Sequence, residues 1–168
     1  MQRILVIGIP GAGKSTFSRA LGARTGLPLI HLDQEFWRPG WVETPRAEWR
    51  PRVVELAWRE RWIMEGNYAG TFDLRLPRAD TLLWFDYPTA KCVGRVLRRI
   101  ASSYGTVRAD MGAGCPERLD WEFLRYVARF NRVERPKTVA ALKEFAPHLA
   151  PVVFRRDSDA AHFLKSLS

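Results

Sequence analysis

The chain has 168 residues, 46% of them apolar and 27% charged, which is typical of one globular domain and excludes a disordered, collagen-like or membrane-embedded chain. Its 27 Lys and Arg against 18 Asp and Glu give a net charge of +9, so nucleotide phosphates or nucleic acid are candidate partners, with solubility as the plainer explanation. The sequence contains no apolar run of membrane length and no signal-peptide pattern. Its two cysteines have neither the spacing of metal ligands nor that of a disulfide framework. We therefore expect a cytoplasmic protein.

Short apolar runs alternate with segments of helical periodicity, which indicates an α/β domain with a parallel sheet and helices on both faces. Five strands are predicted, at residues 3–7, 28–32, 62–64, 81–85 and 151–154. Six helices are predicted, at residues 14–24, 45–61, 89–102, 116–132, 137–145 and 158–167. Pro51 breaks the second helix or marks its true beginning, and the glycine-rich residues 105–114 form a mobile loop. We expect a single domain over residues 1–168.

A glycine-rich loop follows the first predicted strand and leads into the first predicted helix. Gly8, Gly13, Lys14 and Ser15 match the phosphate-loop pattern G-x-x-x-x-G-K-S/T. The glycines let backbone N–H groups face phosphate oxygens, Lys14 adds charge on the β and γ phosphates, and Ser15 offers a hydroxyl to magnesium. The expected cofactors are therefore ATP and Mg²⁺. The expected nucleotide ligands in this loop are Gly8, Pro10, Gly11, Ala12, Gly13, Lys14, Ser15 and Thr16.

Further motifs follow the phosphate loop in a fixed order: His31-Leu32-Asp33, Trp37, Gly40-Trp41, Glu65-Gly66-Asn67-Tyr68, Arg75, Asp80, Phe85-Asp86-Tyr87-Pro88 and the arginines Arg95 and Arg99. In this order the whole chain resembles the adenylate-kinase branch of P-loop kinases, most closely the adenylate-kinase-related DNA topology modulation proteins. The resemblance implies a three-layer P-loop NTPase fold with strand order 2-3-1-4-5. It also implies an acceptor-binding segment at about 34–61, a lid at about 101–118 and phosphoryl transfer from ATP.

Two carboxylates are expected at the carboxyl edge of the sheet, where open α/β folds bind their ligands. Glu65 begins a Glu-Gly-Asn-Tyr segment in the place of the Asp-Gly-Phe-Pro of adenylate kinases, so we expect it to hold magnesium through water and the acceptor to differ. Asp33 has two alternative roles. It orients or deprotonates a hydroxyl acceptor, or it belongs to the metal shell or a helix cap if the acceptor is a phosphate. His31 has the same facing as Asp33 and is either structural or part of the site.

The acceptor-binding segment combines tryptophans with arginines. Trp37 and Trp41 lie where the resemblance places the acceptor, and aromatic faces orient a ring by stacking. Trp49, Trp58 and most arginines of the segment are expected to serve helix packing and a solvated face. The further acceptor-binding residues that we expect are Asn67, Tyr68 and Arg75.

Arginines of the C-terminal half are the remaining candidates. Arg95 and Arg99 share one face of the helix at 89–102, opposite its apolar face, and the resemblance implies that they stack on adenine and clamp phosphates. Arg108, inside the glycine-rich loop, is the expected lid arginine that neutralises transition-state charge. Further arginines on the following helix that are candidates to close onto the phosphates are Arg118, Arg125, Arg129 and Arg132.

Three classes of function are consistent with these features. The favoured one is a kinase that transfers the γ-phosphoryl group of ATP to a small acceptor, namely a nucleotide, a nucleoside or a hydroxyl metabolite. The alternative is a nucleotide-dependent switch or ATPase that acts on a macromolecule such as nucleic acid. The third, a nucleic-acid-binding module, has only the charge in its favour, because no helix-turn-helix, zinc-finger or RNA-binding pattern is present.

Overall fold

A parallel sheet of five strands lies at the centre of the protein, whose computed structural model describes residues 1–167. The strands within these residues are β1 (Arg3–Gly8), β2 (Leu29–His31), β3 (Trp37–Arg38), β4 (Val42–Glu43), β5 (Trp62–Glu65), β6 (Thr81–Phe85) and β7 (Val152–Phe154). The central sheet has the order β2-β5-β1-β6-β7, and each neighbouring pair is parallel. Strands β3 and β4 form a separate antiparallel hairpin. The predicted α/β class with a five-stranded parallel sheet is therefore confirmed.

The strand numbers differ from the expected 2-3-1-4-5, because the hairpin of β3 and β4 adds two strands that the sequence analysis did not predict. Each of these strands has only two residues, which is too short for an alternating pattern to be recognised. The hairpin falls within the expected acceptor-binding segment.

Helices cover both faces of the sheet: α1 (Lys14–Thr25), α2 (Leu32–Phe36), α3 (Arg46–Ala57), α4 (Phe72–Arg75), α5 (Thr89–Ser103), α6 (Trp121–Phe145) and α7 (Asp157–Lys165). The prediction of two helices at 116–132 and 137–145 is wrong, since α6 is continuous. Pro51 does not break α3, and Pro136 does not break α6. Both prolines are exposed, so water can bind the carbonyl that each leaves without a donor.

Side chains of β1 alternate between two apolar clusters, which explains why its sequence is continuously apolar. Ile4 and Val6 pack on one face of the sheet, and Leu5 and Ile7 pack on the other. Helix α6 joins both clusters, with its first half on the former face and its last turns on the latter. It therefore passes close to the carboxyl edge of the sheet, where the side chain of Arg135 pairs with Asp86 after β6.

The helices of residues 1–167 include none that is both long and apolar enough to cross a membrane. The cytoplasmic location stays a prediction.

Candidate functional site

The glycine-rich loop connects β1, a buried central strand, to the N-terminus of α1. Gly8 has a φ of 132°, and a Cβ on it would lie 2.2 Å from the carbonyl oxygen of Phe85, so this close approach requires glycine. Gly13 precedes α1, whose N-terminus has neither a side-chain cap nor an acidic residue in its first turn. The free N–H groups and the positive end of the helix dipole thus fit a phosphate group.

Lys14 is buried at the centre of this loop. Its Nζ donates hydrogen bonds to the carbonyl oxygens of Gly8 (2.9 Å) and Ile9 (3.1 Å). Burial lowers the pKa of Lys14, whereas the neighbouring carboxylates of Glu65 and Asp33 oppose this shift. The ammonium group is therefore held within the loop by two carbonyl dipoles and faces two acids.

Glu65 forms a buried polar cluster with Ser15 and His31. The Ser15 hydroxyl donates to Oε2 of Glu65 at 3.2 Å, and Nδ1 of His31 lies 3.0 Å from the same oxygen. His31 and Glu65 are register partners on β2 and β5, which explains their proximity. No group of three or more His, Cys, Asp or Glu side chains in the described part of the chain is arranged to hold a metal. One hydroxyl and one carboxylate do fit Mg²⁺, which binds few protein ligands together with phosphates and water.

Asp33 lies on the first turn of α2, directly after β2. The Tyr68 hydroxyl donates a 2.5 Å hydrogen bond to its Oδ1. Burial, and secondly the charge of Glu65, raise the pKa of Asp33, while the hydrogen bond from Tyr68 opposes this rise. Burial and the Asp33 carboxylate likewise raise the pKa of Tyr68 above its usual range. The two side chains therefore form one partly buried hydrogen-bonded pair.

Asn67 in the loop after β5 and Arg75 at the end of α4 were both expected to bind an acceptor, but the structure gives them other contacts. Oδ1 of Asn67 accepts a hydrogen bond from the backbone N–H of Gly8 at 2.9 Å, so Asn67 braces the phosphate loop as well as lining the cavity. Arg75 is fully buried and lies outside the cavity lining. Its guanidinium donates to the Thr71 hydroxyl and to the carbonyl oxygens of residues 66–68. The sequence analysis expected Arg75 to contact an acceptor. The structure instead places it outside the cavity lining, with its donors engaged by this loop.

Aromatic rings form the wall on the side of the hairpin. Trp37 and Trp41 pack edge to face with ring centres 5.5 Å apart, and Nε1 of Trp41 donates to the Pro116 carbonyl at 3.0 Å. The hairpin thus contacts the segment expected to be the lid. Trp49 is buried in the core, as the packing interpretation expects, whereas Trp58 is 66% exposed and the packing interpretation is wrong for it. Neither ring lines the cavity.

The lid arginines already have acidic partners. Arg99 and Arg108 both pair with Glu117, at 3.0 and 2.9 Å, and Arg108 also pairs with Asp110 at 3.0 Å. Burial and the neighbouring Arg108 lower the pKa of Arg99. Burial alone would raise the pKa of Asp110. The charge of Arg108 and a hydrogen bond with Ser15 outweigh this effect, so the pKa of Asp110 is lowered. Two acids that the sequence analysis missed therefore hold the two arginines over the phosphate loop.

Arg95 pairs with Asp157 at the N-terminus of α7, with Nη2 at 2.8 Å from Oδ2. Lys91 contacts the same carboxylate at 2.7 Å. These two cations lower the pKa of Asp157 to about 2. Arg95 still lines the cavity, beside the phosphate loop and Arg99.

One cavity of about 1120 Å³ brings these groups together. Most of the expected site residues line it, namely Pro10, Gly11, Gly13, Lys14, Ser15, Thr16, Asp33, Trp37, Trp41, Glu65, Asn67, Tyr68, Arg95, Arg99 and Arg108. Residues that the sequence analysis missed include Phe36, Glu43, Asp110, Glu117, Tyr126 and Glu134. Asp110 had a signal in the sequence, since it lies two positions after the lid arginine. Glu43 also had a signal, since it lies in the expected acceptor-binding segment. Tyr126 and Glu134 had none, because they lie on α6, which only the tertiary fold brings to the cavity.

No protein-family model matches this chain. A search of curated proteins also finds no match. Solved structures do match: shikimate kinase from Acinetobacter baumannii, in complex with shikimate, is 18% identical with a TM-score of 0.58, over 99% of this chain and 90% of that one. Shikimate kinase from Bacteroides thetaiotaomicron is 17% identical with a TM-score of 0.53, over 99% of this chain and 95% of that one. These similarities establish the fold, while the closeness to DNA topology modulation proteins stays a prediction.

Proposed function

We propose that the protein is an ATP- and magnesium-dependent kinase that transfers the γ-phosphoryl group to a hydroxyl group of a small molecule. The observation that carries the proposal is the position of Asp33. This half-buried carboxylate lies in the same cavity as the phosphate loop and Glu65, on the side of the aromatic wall. The fold that the chain shares with two shikimate kinases supports kinase chemistry in such a cavity.

In this proposal the residues of the phosphate loop hold the nucleotide. The backbone from Gly8 to Thr16 binds the phosphates, and Lys14 turns from its two carbonyl partners towards them. Ser15 and, through water, Glu65 hold the metal. Bound ATP with Mg²⁺ supplies the transferable phosphoryl group and neutralises part of its charge. His31 fixes the orientation of the Glu65 carboxylate.

Asp33 is the proposed base that accepts the proton of the acceptor hydroxyl. A carboxylate whose pKa is raised by burial is a better base than an exposed one, and Tyr68 holds it in one orientation. A phosphate acceptor needs no base, so an Asp33 carboxylate with a raised pKa and a fixed orientation favours the hydroxyl over the phosphate alternative.

Arg99 and Arg108 are the proposed groups that stabilise the charge of the transition state. They exchange Glu117 and Asp110 for phosphate oxygens when a nucleotide enters, since both acids and a triphosphate compete for the same guanidinium donors. Arg95 is proposed to contact the nucleotide beside them. The proposed acceptor-binding residues are Asp33, Trp37, Trp41, Asn67 and Tyr68, while Arg75 acts through the loop that it holds.

The test is acceptor-dependent formation of ADP from ATP and Mg²⁺, with small hydroxyl compounds, nucleosides and nucleoside monophosphates offered in turn. The phosphorylated product is identified by mass spectrometry, and the Lys14→Ala variant is the matched negative control. ADP formation that depends on duplex or single-stranded DNA, with no small acceptor, would instead support the nucleotide-dependent ATPase. Activity confined to nucleoside monophosphates would overturn the hydroxyl acceptor.

A further inference from the structure

We infer that the acceptor is a hydroxyl compound that carries no phosphate or carboxylate group; this inference rests on the proposed kinase function. It comes from the distribution of charge along the cavity. Positive side chains lie at the nucleotide end, whereas the end beyond Asp33 is lined by aromatic rings and acids. We call the latter the acceptor end and define it by Asp33, Phe36, Trp37, Glu43, Tyr68, Tyr126 and Glu134.

The basic residues of the cavity all belong to the nucleotide end or the lid segment. Within residues 1–167, those that line it are Lys14, Arg19, Arg95, Arg99, Arg108 and Arg118. Lys14 and Arg19 lie on α1, and Arg95 and Arg99 lie on α5. A nucleoside triphosphate carries enough negative charge to pair with these cations. None of them lies on the hairpin or on α6.

Three arginines of the acceptor-binding segment are paired away from the cavity. Arg50 pairs with Asp73 at 2.6 Å, and Arg52 pairs with Glu35 at 2.8 Å. Arg38 pairs with Glu48 on the exposed side of the hairpin. None of these three arginines lines the cavity.

The acceptor end has carboxylates in the position where an anionic substrate would need cations. Glu43 is the register partner of Trp37 on the hairpin, which places it beside the aromatic wall. Glu134 approaches from α6. Burial, and secondly the charge of Glu134, raise the pKa of Tyr126 to about 12, and Tyr126 also interacts with Asn67 and Asp33. The charges of Glu134 and Asp33 thus both act on Tyr126, and both residues line the cavity, while Glu134 also pairs with Lys137 at 2.9 Å.

Arg118 of the lid segment lies against the aromatic wall, and two contacts engage it. Its guanidinium lies over the ring of Trp41, 5.3 Å from the ring centre, and its Nη2 is 3.5 Å from Asp120. The charges of Lys14 and Arg108 also act on Asp33, but the proposed function assigns both cations to the nucleotide phosphates. An anionic acceptor would therefore lose hydration next to like charges without gaining a cation of its own, which is unfavourable. Aromatic faces and acids instead favour an uncharged or protonated-amine acceptor.

The test compares matched pairs of hydroxyl compounds that differ only in an anionic group, such as adenosine with adenosine monophosphate and methyl shikimate with shikimate. At saturating ATP and Mg²⁺, we expect kcat/KM for the uncharged member to exceed that of the anionic member by about tenfold or more. A preference for the anionic members would overturn this inference and leave the kinase function standing. ATP binding without ADP formation for any member of either class would overturn the proposed function, and the inference with it.

Charge-reversal variants test the acids themselves. Glu43 is exposed on the hairpin and Glu134 is half-buried on α6, so Glu43→Arg is the variant least prone to misfolding and Glu134→Arg is the second. Either change should shift the ratio of kcat/KM for anionic over uncharged acceptors upward by about tenfold. Glu144→Arg, an exposed change on α6 outside the cavity lining, is the matched control and should leave the ratio unchanged. An unchanged ratio in both cavity variants would overturn the role of these acids.

Discussion

The hydroxyl group of Tyr68 lies 2.5 Å from Oδ1 of Asp33 and donates a hydrogen bond to it, although the two residues are 35 positions apart in the chain. The contact joins the loop after β5 to the first turn of α2. It holds the half-buried carboxylate of Asp33 in one orientation and opposes the rise in pKa that desolvation causes. The charge of Asp33 is therefore expected to support activity and to reduce the stability of the fold.

Asp33→Asn should separate activity from stability. The loss of a general base typically lowers kcat by about 10²–10⁴-fold, and Mg²⁺ should not restore the rate if the acceptor is a hydroxyl. The folded-state pKa of Asp33 is raised, so its charge reduces stability above the usual carboxylate pKa, and Asn removes that cost. We therefore expect the free energy of unfolding at neutral pH to be no lower than that of the parent.

Steady-state kinetics at low and high Mg²⁺, with urea unfolding, check this prediction. Recovery of most of the rate at high Mg²⁺ would instead assign Asp33 to the metal shell, and full activity at low Mg²⁺ would remove both roles.

Tyr68→Phe should change the pH dependence of the reaction. The Tyr68 hydrogen bond lowers the pKa of Asp33, so its removal raises that pKa further. Because the proposed base works only when ionised, the acid limb of the kcat profile should move to higher pH. Tyr104→Phe is the control, since Tyr104 is exposed. An acid limb that stays in place, or moves to lower pH, would contradict the role of the pair.

Lys14→Ala should abolish tight ATP binding while the protein stays folded. The side chain is buried with a lowered pKa, so its removal relieves desolvation, and alanine favours the first turn of α1. Isothermal titration with ATP and Mg²⁺ checks the binding, and circular dichroism checks the fold. Lys143→Ala removes an exposed lysine of α6 and should bind ATP like the parent. If Lys14→Ala binds and turns over ATP like the parent, the phosphate-loop assignment fails.

ATP should protect residues 105–114 from proteolysis, because lid arginines that contact phosphates favour the closed state. Gly112→Ala should reduce this protection. A Cβ at Gly112 would lie 2.1 Å from the Trp37 carbonyl oxygen, so the segment must move away from the hairpin. Gly94→Ala is the control, since a Cβ there meets nothing within 4 Å on α5, and it should stabilise the protein by roughly 0.5–1 kcal/mol. Equal cleavage with and without ATP in the parent would remove the lid from the mechanism.

Arg75→Met should destabilise the protein and weaken acceptor binding. It removes the donors to three carbonyl groups of the loop at 66–68, and buried groups left without a partner cost stability, here roughly 2–5 kcal/mol in sum. Urea unfolding and the acceptor KM measure the two effects. Arg61→Met, at an exposed arginine, should change neither. A normal stability with a raised acceptor KM would instead return Arg75 to direct contact with the acceptor.

The sequence alone determined the fold class and the phosphate loop. Both depend on short-range patterns: continuous apolar runs mark strands buried on both faces, and eight consecutive residues build the loop between β1 and α1. It also identified Asp33 and Glu65 as strand-end carboxylates, because the carboxyl ends of parallel strands meet at one edge of the sheet.

Only the tertiary structure decided which charges meet. The sequence contains an excess of arginine, but the fold pairs Arg99 and Arg108 with Glu117, buries Arg75 beneath the loop and brings Glu134 of α6 to the acceptor end. Arg99 is 18 positions from Glu117, and Glu134 is about 100 positions from Asp33, so no local sequence pattern encodes these distances. Electrostatic energy depends on separation and burial, so the charge of the cavity, and with it the class of acceptor, is set by packing.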